Sequence, residues 1–111
     1  MCGIYGITAV DRDFIAKYID VCKHRGPDGS NIWNDNKVTL GHNLLSIMGE
    51  PAQARQPWTT PKGNILVYNG EIFNYYELLE KYKNRFTPKT KCDTELLAWG
   101  LDNFGSTFVV K

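Results

Sequence analysis

The spacing of apolar residues at the start of the chain predicts a strand followed by an amphipathic helix. Residues 3–10, GIYGITAV, are rich in β-branched and aromatic side chains and predict the strand. An apolar stripe at helical spacing follows, formed by Phe14, Ile15, Tyr18, Ile19 and Cys22. Asp11 and Asp13 precede this stripe, where an acidic side chain can cap a helix. On this interpretation Cys22 faces the core as a small hydrophobic residue.

The middle of the chain alternates between turn residues and strand-like runs. Residues 23–31, KHRGPDGSN, contain two glycines and a proline and predict a loop. Residues 31–35 and 37–45 predict two strands joined by a turn at Asp35-Asn36. Residues 46–63 carry three prolines and no hydrophobic period, which predicts a long irregular connection.

A hairpin signal and a capping signal follow each other in the next segment. Residues 64–73, NILVYNGEIF, predict two short strands around Asn69-Gly70, because Asn-Gly between alternating apolar residues favours a hairpin turn. Asn74 and Glu77 have the spacing of a capping box and predict the start of a helix. The apolar face of that helix is formed by Tyr75, Leu78, Leu79 and Tyr82.

A third helical pattern precedes the C-terminal residues. The helix is predicted to begin at Asp93 or Thr94 and to end at Gly105, and residues 106–111 predict the start of another strand. Its apolar positions are Leu97, Leu101 and Phe104. The order of elements is typical of an α+β fold with a mainly antiparallel sheet. We expect the helices to cover one face and to leave the other open for a partner layer.

Composition and charge narrow the classes of function. The 111 residues suffice for one domain, and a hydrophobic fraction of 42% argues against disorder. The formal net charge of +1 provides no argument for nucleic acid or an anionic membrane as a partner. No apolar run reaches membrane-spanning length and no secretory signal opens the chain, so we expect a cytoplasmic protein.

The cysteines do not have the spacing of a disulfide framework or a zinc site. The chain has an odd number of cysteines, and they are widely spaced: Cys2, Cys22 and Cys92. No C-x-x-C pair occurs. We therefore expect no metal site. Cys2 follows the start methionine directly, and removal of Met1 would leave it with a thiol and a free α-amine. One residue would then hold a nucleophile and its base, although a buried cysteine that opens a strand explains the position equally well.

Three further motifs have both a chemical and a structural interpretation. In Y-N-G-E, the Asn69 amide and the Gly70 N–H could stabilise an oxyanion, or the pair could serve a hairpin turn, and the two roles are compatible. In D-T-E, Asp93 could bind a substrate ammonium group or cap a helix. His42 could be a core histidine, and Arg25 or Asp28 could pair within their loop.

Six ordered blocks make the sequence specific as a set. They are M-C-G-I, H-R-G-P-D, G-H-x-x-L-S-I, Q-P, Y-N-G-E-I-x-N-Y and D-T-E, between residues 2 and 95. In this order and spacing they resemble the class II glutamine amidotransferases, the N-terminal-nucleophile glutaminase domains, and most of all the asparagine synthetase branch. The resemblance implies an αββα fold of antiparallel sheets between helical layers. It also implies hydrolysis of the glutamine side-chain amide, with ammonia delivered to a synthetase domain.

The resemblance assigns roles to residues at the matching positions. Cys2 would be the nucleophile and form a glutamyl thioester, and Asn69 and Gly70 would form the oxyanion hole. Glu71 and Asp93 would contact glutamine, with Asp93 on its α-ammonium. The segment that lines the substrate pocket would comprise Leu44, Leu45, Ser46, Ile47 and Met48, with Ser46 to Met48 contributing backbone groups.

The sequence departs from the family pattern at two positions and in length. Leu44 stands where the family has an arginine that pairs with the substrate α-carboxylate, and Arg55 is a candidate to supply that charge. Cys92 stands where the family often has serine. Residues 1–111 would form a partial glutaminase domain that lacks later strands. The alternative function is a binding or assembly module that keeps the fold without hydrolysis.

The synthetase domain of the family would lie outside this chain, because its S-G-G-x-D-S signature does not occur here. ATP and Mg²⁺ are expected only in that domain, and no cofactor is expected in this chain. The expected partners are glutamine and a synthetase domain or separate chain that receives ammonia. Self-association is also expected if one sheet face stays open.

Overall fold

The secondary structure is an α+β arrangement, as the hydrophobic pattern predicts. The computed structural model describes residues 2–45 and 55–109. Its strands are β1 (Gly3–Ile7), β2 (Gly29–Asn34), β3 (Thr39–Leu44), β4 (Trp58–Thr59) and β5 (Ile65–Leu66). Its helices are α1 (Arg12–Val21), α2 (Tyr75–Lys81) and α3 (Asp93–Phe104), with 3₁₀ turns at Lys23–Arg25 and Gly105–Phe108. None of these helices is long and apolar enough to cross a membrane.

The main sheet has three antiparallel strands in the order β1-β3-β2. Gly3 lies opposite Asn43, so the N-terminal end of β1 meets the C-terminal end of the central strand. The predicted hairpin between β2 and β3 is confirmed. Asp35 Oδ1 accepts the backbone N–H groups of Lys37 at 2.7 Å and Val38 at 2.8 Å, which closes the turn.

Helix α1 packs on one face of this sheet. Ile15 and Ile19 are its buried residues, and they reach the sheet at Gly41. A Cβ on Gly41 would lie 2.5 Å from Ile15 Cγ2, so glycine is what lets the helix approach β3. The buried Asn43 amide donates to the carbonyls of Ile19 at 3.2 Å and Cys22 at 2.9 Å, which satisfies the C-terminal end of the helix.

The N-terminal cap of α1 is as predicted, but the buried apolar stripe of the helix is narrower than predicted. Asp11 is the N-cap, and its Oδ1 accepts the Phe14 N–H at 2.9 Å. Phe14 and Tyr18 were expected in the buried stripe, yet they are 41% and 49% exposed, with their ring centroids 5.0 Å apart. Two isoleucines are enough to fill the space above Gly41, so the aromatic residues stay at the surface.

Helix α3 begins at Asp93 and ends before Gly105, as predicted. Gly105 has a φ of +62°, a left-handed conformation that favours glycine and stops the helix. The strand predicted for residues 106–111 is wrong over the described residues, because Gly105–Phe108 is a 3₁₀ turn. Phe108 folds back on the helix and joins an aromatic cluster of Tyr82, Phe86, Trp99, Phe104 and Phe108.

The predicted hairpin around Asn69-Gly70 is wrong. Only Ile65–Leu66 forms a strand there, and it pairs with Trp58–Thr59, which lies in the predicted irregular connection. Among the described residues the chain after β5 pairs with no further strand, and side chains bind the backbone of Tyr68 instead. The predicted capping box at α2 is also wrong, since Asn74 is the N-cap but makes no side-chain capping bond.

The two faces of the main sheet differ in how they are covered. Gly41 faces α1, so its neighbour Leu40 points to the opposite face. There an open groove is lined by Gly6, Ile7, Thr8, Val38 and Leu40. Towards the other end of β3 the same face is closed by Leu44, which packs on Cys92 just before α3. The covered end of this face carries the candidate site.

Candidate functional site

Cys2 lies immediately before β1, against the end of β3. Its side chain is half-buried, and its Sγ lies 3.5 Å from the Leu45 carbonyl oxygen and accepts the Leu45 N–H at 3.3 Å. The antiparallel pairing of Gly3 with Asn43 explains this position, because it brings the residue before β1 to the end of β3. Met1 and the predicted pocket residues Ser46, Ile47 and Met48 lie outside the described residues.

The H-R-G-P-D loop supports the strand end that holds Cys2. Pro27 forms a parallel bridge with Leu44, and Asp28 N–H donates to the Leu44 carbonyl at 2.9 Å. A Cβ on Gly26 would lie 2.5 Å from the carbonyl carbon of Asn43 and 2.7 Å from that of Leu44. Only glycine therefore allows the loop to lie this close to the backbone of β3.

An apolar contact forms one wall beside the Cys2 thiol. Leu44 is 5% exposed, Cys92 is 2% exposed, and the two pack together with Cys2 against them. Burial is the main cause that raises the pKa of the Cys92 thiol, and the Asp93 and Glu95 carboxylates add to it. Leu44 and Cys92, the two positions that the sequence analysis singles out as differing from the expected motif, are therefore neighbours in space.

Residues 68–72 are held by buried side chains from three other parts of the chain. The N–H of Tyr68 donates to Gln56 Oε1, and its carbonyl lies 3.3 Å from His42 Nε2. At the other end, Ile72 N–H donates to Asp93 Oδ2 at 3.0 Å. Asp93 is therefore not the cap of α3, since the N-cap is the preceding residue. The exposed residues between these anchors are Asn69, Gly70 and Glu71.

The pKa values of two side chains at this segment, His42 and Tyr68, are shifted by their surroundings. Burial lowers the pKa of His42, although its bond to the Tyr68 carbonyl opposes that effect. Because a carbonyl oxygen can only accept a hydrogen bond, Nε2 carries the hydrogen in this contact. Burial raises the pKa of the Tyr68 phenol, and the charges of Asp93 and Glu71 raise it further. The carboxylates of Asp93 and Glu71 therefore act on the same side chain, Tyr68.

Arg55 and Gln56 lie near Leu44, and the sequence did not assign either of them a definite function. Arg55 and Gln56 line a small cavity together with His42 and Leu44 of β3 and residues of β2. Gln56 is 4% exposed, and its Nε2 donates to Thr94 Oγ1 at 3.2 Å. The Q-P block was the signal that could have drawn attention to Gln56. Its function could not be inferred because both of its partners are distant in the sequence.

The structure thus joins the predicted residues through a series of contacts. Cys2 contacts Leu45 and packs on Leu44 and Cys92. Asp93, next to Cys92, binds the far end of the segment that carries the exposed Asn69-Gly70. In chemical terms, this end of the sheet combines a thiol, an apolar wall, a buried carboxylate and an exposed turn with two amide groups.

Comparison with known proteins identifies the family. A family profile described as a glutamine amidotransferase domain matches residues 1–111. Glutamine-hydrolysing asparagine synthetase B of Escherichia coli (strain K12) is 32% identical over 103 residues, which cover 87% of this chain and 19% of that protein. Glutamine-hydrolysing asparagine synthetase 1 of Arabidopsis thaliana is 33% identical over 116 residues, which cover 98% of this chain and 20% of that protein.

The similarity extends across distant organisms and is confined to one part of each relative. A putative glutamine-hydrolysing asparagine synthetase of Methanocaldococcus jannaschii is 33% identical over 120 residues, covering 87% of this chain and 23% of that protein. The chain therefore spans about a fifth of the length of the curated relatives that it matches.

Proposed function

Since the chain belongs to the glutamine amidotransferase family, we propose that it hydrolyses the side-chain amide of glutamine and supplies ammonia for amide synthesis. The relatives are named asparagine synthetases, which makes asparagine synthesis the proposed use of the ammonia. The observation that carries the proposal is the position of Cys2. Cys2 follows Met1 directly, and the backbone of Leu45 holds its thiol at the end of the sheet.

The proposed reaction begins after removal of Met1, when Cys2 has a thiol and a free α-amine. The amine takes the thiol proton, and the sulfur attacks the amide carbon of glutamine, whose carbonyl electrons move onto oxygen. As the oxyanion collapses, the C–N bond breaks, the nitrogen takes the proton from the Cys2 ammonium, and ammonia leaves a glutamyl thioester. Water then gives a proton to the amine and attacks the thioester. The C–S bond breaks, the proton returns to sulfur, and glutamate leaves.

The Asn69-Gly70 turn is the proposed site of oxyanion stabilisation. Both residues are exposed, and both present amide N–H groups. A Cβ on Gly70 would lie 2.9 Å from the Tyr68 hydroxyl, so the Tyr68 ring packs close over this residue. The loss of one such donor typically removes ~2.7–4 kcal/mol of transition-state stabilisation.

The two charged groups at the other end of glutamine need separate partners. Asp93 and Glu71, which flank the Tyr68 phenol, are proposed to bind the α-ammonium group. Leu44 is buried against Cys92 and has no charge for the α-carboxylate. Arg55 lines the same cavity as Leu44, and we assign it the carboxylate. The segment from Leu44 to Met48 would form the remaining pocket wall.

The wider architecture of the family completes the proposal. In this view residues 1–111 form part of a glutaminase domain with an αββα fold, and the described antiparallel sheet with α1 supplies two of its layers. A synthetase domain or separate chain, with ATP and Mg²⁺, would receive the ammonia in the cytoplasm. The length of the relatives supports a partner of this kind.

Glutamine hydrolysis and covalent labelling test this function together. We expect the chain without Met1 to release glutamate from glutamine and to gain the mass of one electrophilic glutamine analogue. Cys2→Ala should abolish both, because it removes the attacking sulfur. Cys22→Ala is the matched control and should retain both, since Cys22 lies at the end of α1, which packs on the sheet face opposite Leu44.

Two results would contradict the glutaminase function. One is a chain that keeps Met1 in cells, and the other is a Cys2→Ala variant that remains active. The buried Leu44 favours the second candidate, a module without hydrolysis. Calorimetry separates the two candidates, because saturable glutamine binding by the chain argues against that module.

A further inference from the structure

The buried amide of Gln56 bridges two parts of the candidate site. Its Oε1 accepts the Tyr68 N–H, and its Nε2 donates to Thr94 Oγ1 at 3.2 Å. The side chain is 4% exposed, so water does not compete strongly for either bond. A primary amide is suited to this position because it offers an acceptor and a donor on one rigid plane.

Side chains replace a strand partner along the backbone of Tyr68. Strand β5 ends at Leu66, and the Tyr68 N–H and carbonyl then bind Gln56 and His42. Asn69 and Gly70 follow directly and are exposed, so the last buried anchor before this turn is at Tyr68. The next anchor is Ile72, bound by Asp93.

The partner of Gln56 on α3 links this turn to the ammonium end of the proposed substrate. Thr94 is adjacent to Asp93 in the first turn of α3 and is 4% exposed. One side chain therefore relates the position of Asn69-Gly70 to that of Asp93. In glutamine hydrolysis these groups would bind the reacting oxygen and the α-ammonium group, at opposite ends of one molecule.

We propose that Gln56 is a positioning residue, which fixes the Asn69-Gly70 turn relative to Asp93 by tying Tyr68 to Thr94. This role rests on the proposed function, because the position of the turn matters for rate only if it binds the oxyanion. Gln56 does not touch the reacting atoms in this scheme. It also gives the Q-P block a physical purpose that the sequence did not suggest.

The kinetic test compares Gln56→Leu, which keeps most of the volume, with the wild-type chain. Because the negative charge on oxygen develops only during the reaction and is absent from bound glutamine, we expect kcat to fall about 10²-fold while KM changes by less than about threefold. An aldehyde analogue of glutamine forms a tetrahedral adduct with the Cys2 thiol. Its affinity should fall in parallel with kcat/KM, which a general loss of folded protein would not produce.

Thr94 offers a rescue pair. Thr94→Val removes the hydroxyl that Gln56 binds and should lower kcat, whereas Thr94→Ser keeps the hydroxyl and should restore most of the activity. The double variant Gln56→Leu/Thr94→Val should be hardly slower than Gln56→Leu alone, because both changes break one bridge. Thr60→Val is the matched control, since Thr60 Oγ1 binds Asp102 at 2.7 Å, outside the bridge, and its kcat should stay unchanged.

Amide hydrogen exchange separates failure of this inference from failure of the proposed function. In Gln56→Leu, we expect faster exchange at Tyr68 and unchanged exchange in β3. If the wild-type chain is inactive, the glutaminase function is overturned, and so is any effect of Gln56 on the rate. Amide hydrogen exchange then still decides whether Gln56 fixes the turn. An active wild type with an unaltered kcat in Gln56→Leu, or unaltered exchange at Tyr68, overturns the positioning role.

Discussion

Leu44 and Cys92 are two residues that the sequence singles out separately and that the structure brings into contact. The resemblance predicts an arginine at position 44 and often a serine at position 92, and the structure packs Leu44 and Cys92 against each other and against Cys2. An arginine at position 44 would need a polar or acidic neighbour, and the buried Cys92 thiol provides neither a charge nor a strong acceptor. Under the proposed function, the α-carboxylate of glutamine is therefore bound elsewhere.

Arg55 is the residue that we expect to bind that carboxylate. Arg55→Ala should raise the KM for glutamine at least about tenfold with a smaller change in kcat, since it removes a charge pair made in the ground state and the transition state alike. An amide substrate that lacks the α-carboxylate should react equally well with both proteins. Steady-state kinetics with the two substrates provides the measurement.

Arg12→Ala is the control for this substitution. Arg12 Nη1 donates to Asn34 Oδ1 at 2.9 Å, at the other end of the main sheet, and its loss should leave the KM unchanged. An equal KM in Arg55→Ala and wild type would refute the assignment.

Among the connecting segments, the H-R-G-P-D loop lies directly against the backbone of β3. Gly26→Ala should destabilise the protein by about 1–3 kcal/mol, because the added Cβ meets backbone atoms of Asn43 and Leu44 that cannot rotate away. Urea denaturation measures the effect. Gly6→Ala is the control, since its Cβ meets only Leu40 Cδ2, at 3.2 Å, the mobile end of a side chain. Equal stability of the two variants would contradict this account.

Local signals predicted the elements whose partners are close in sequence. The Asp11 cap of α1, the turn at Asp35 and the start of α3 at Asp93 are confirmed. The predicted Asn69-Gly70 hairpin is wrong because the partners of this segment are distant in the sequence. Its backbone partners, Gln56 and His42, belong to other elements, so no local pattern could indicate them.

At the scale of the whole molecule, the main sheet has one face under α1 and an open groove on the other. That groove, at Leu40 and Gly6, is apolar. It lies at the opposite end of the sheet from Leu44. The curated relatives are about five times as long as this chain, so they have ample additional sequence. The expectation of a partner layer on this face stays a prediction.

The stability of the whole domain should depend on pH through His42. Burial lowers its pKa below the ordinary value of 6.5, so the unfolded chain binds a proton more readily than the folded one. The contribution of His42 to the free energy of unfolding should be constant above pH ~6.5 and should decrease as the pH falls from there towards the folded-state pKa. Chemical denaturation at pH 8, 6.5 and 5 measures this dependence.

His42→Gln tests the assignment of that pH dependence. Glutamine can still donate to the Tyr68 carbonyl but does not titrate, so the loss of stability between pH 6.5 and 5 should become smaller. An identical loss in the variant and the wild type would show that another group is responsible.

The sequence alone determined the family and the types of chemical group, because ordered motifs and hydrophobic periods are properties of neighbouring residues. It identified Cys2, Asn69-Gly70 and Asp93 as the residues to examine. Only the tertiary structure decided that Leu44 packs on Cys92, and that Gln56 connects Tyr68 to Thr94. These contacts join residues far apart along the chain, and they exist only once the sheet, the loop and α3 have packed together.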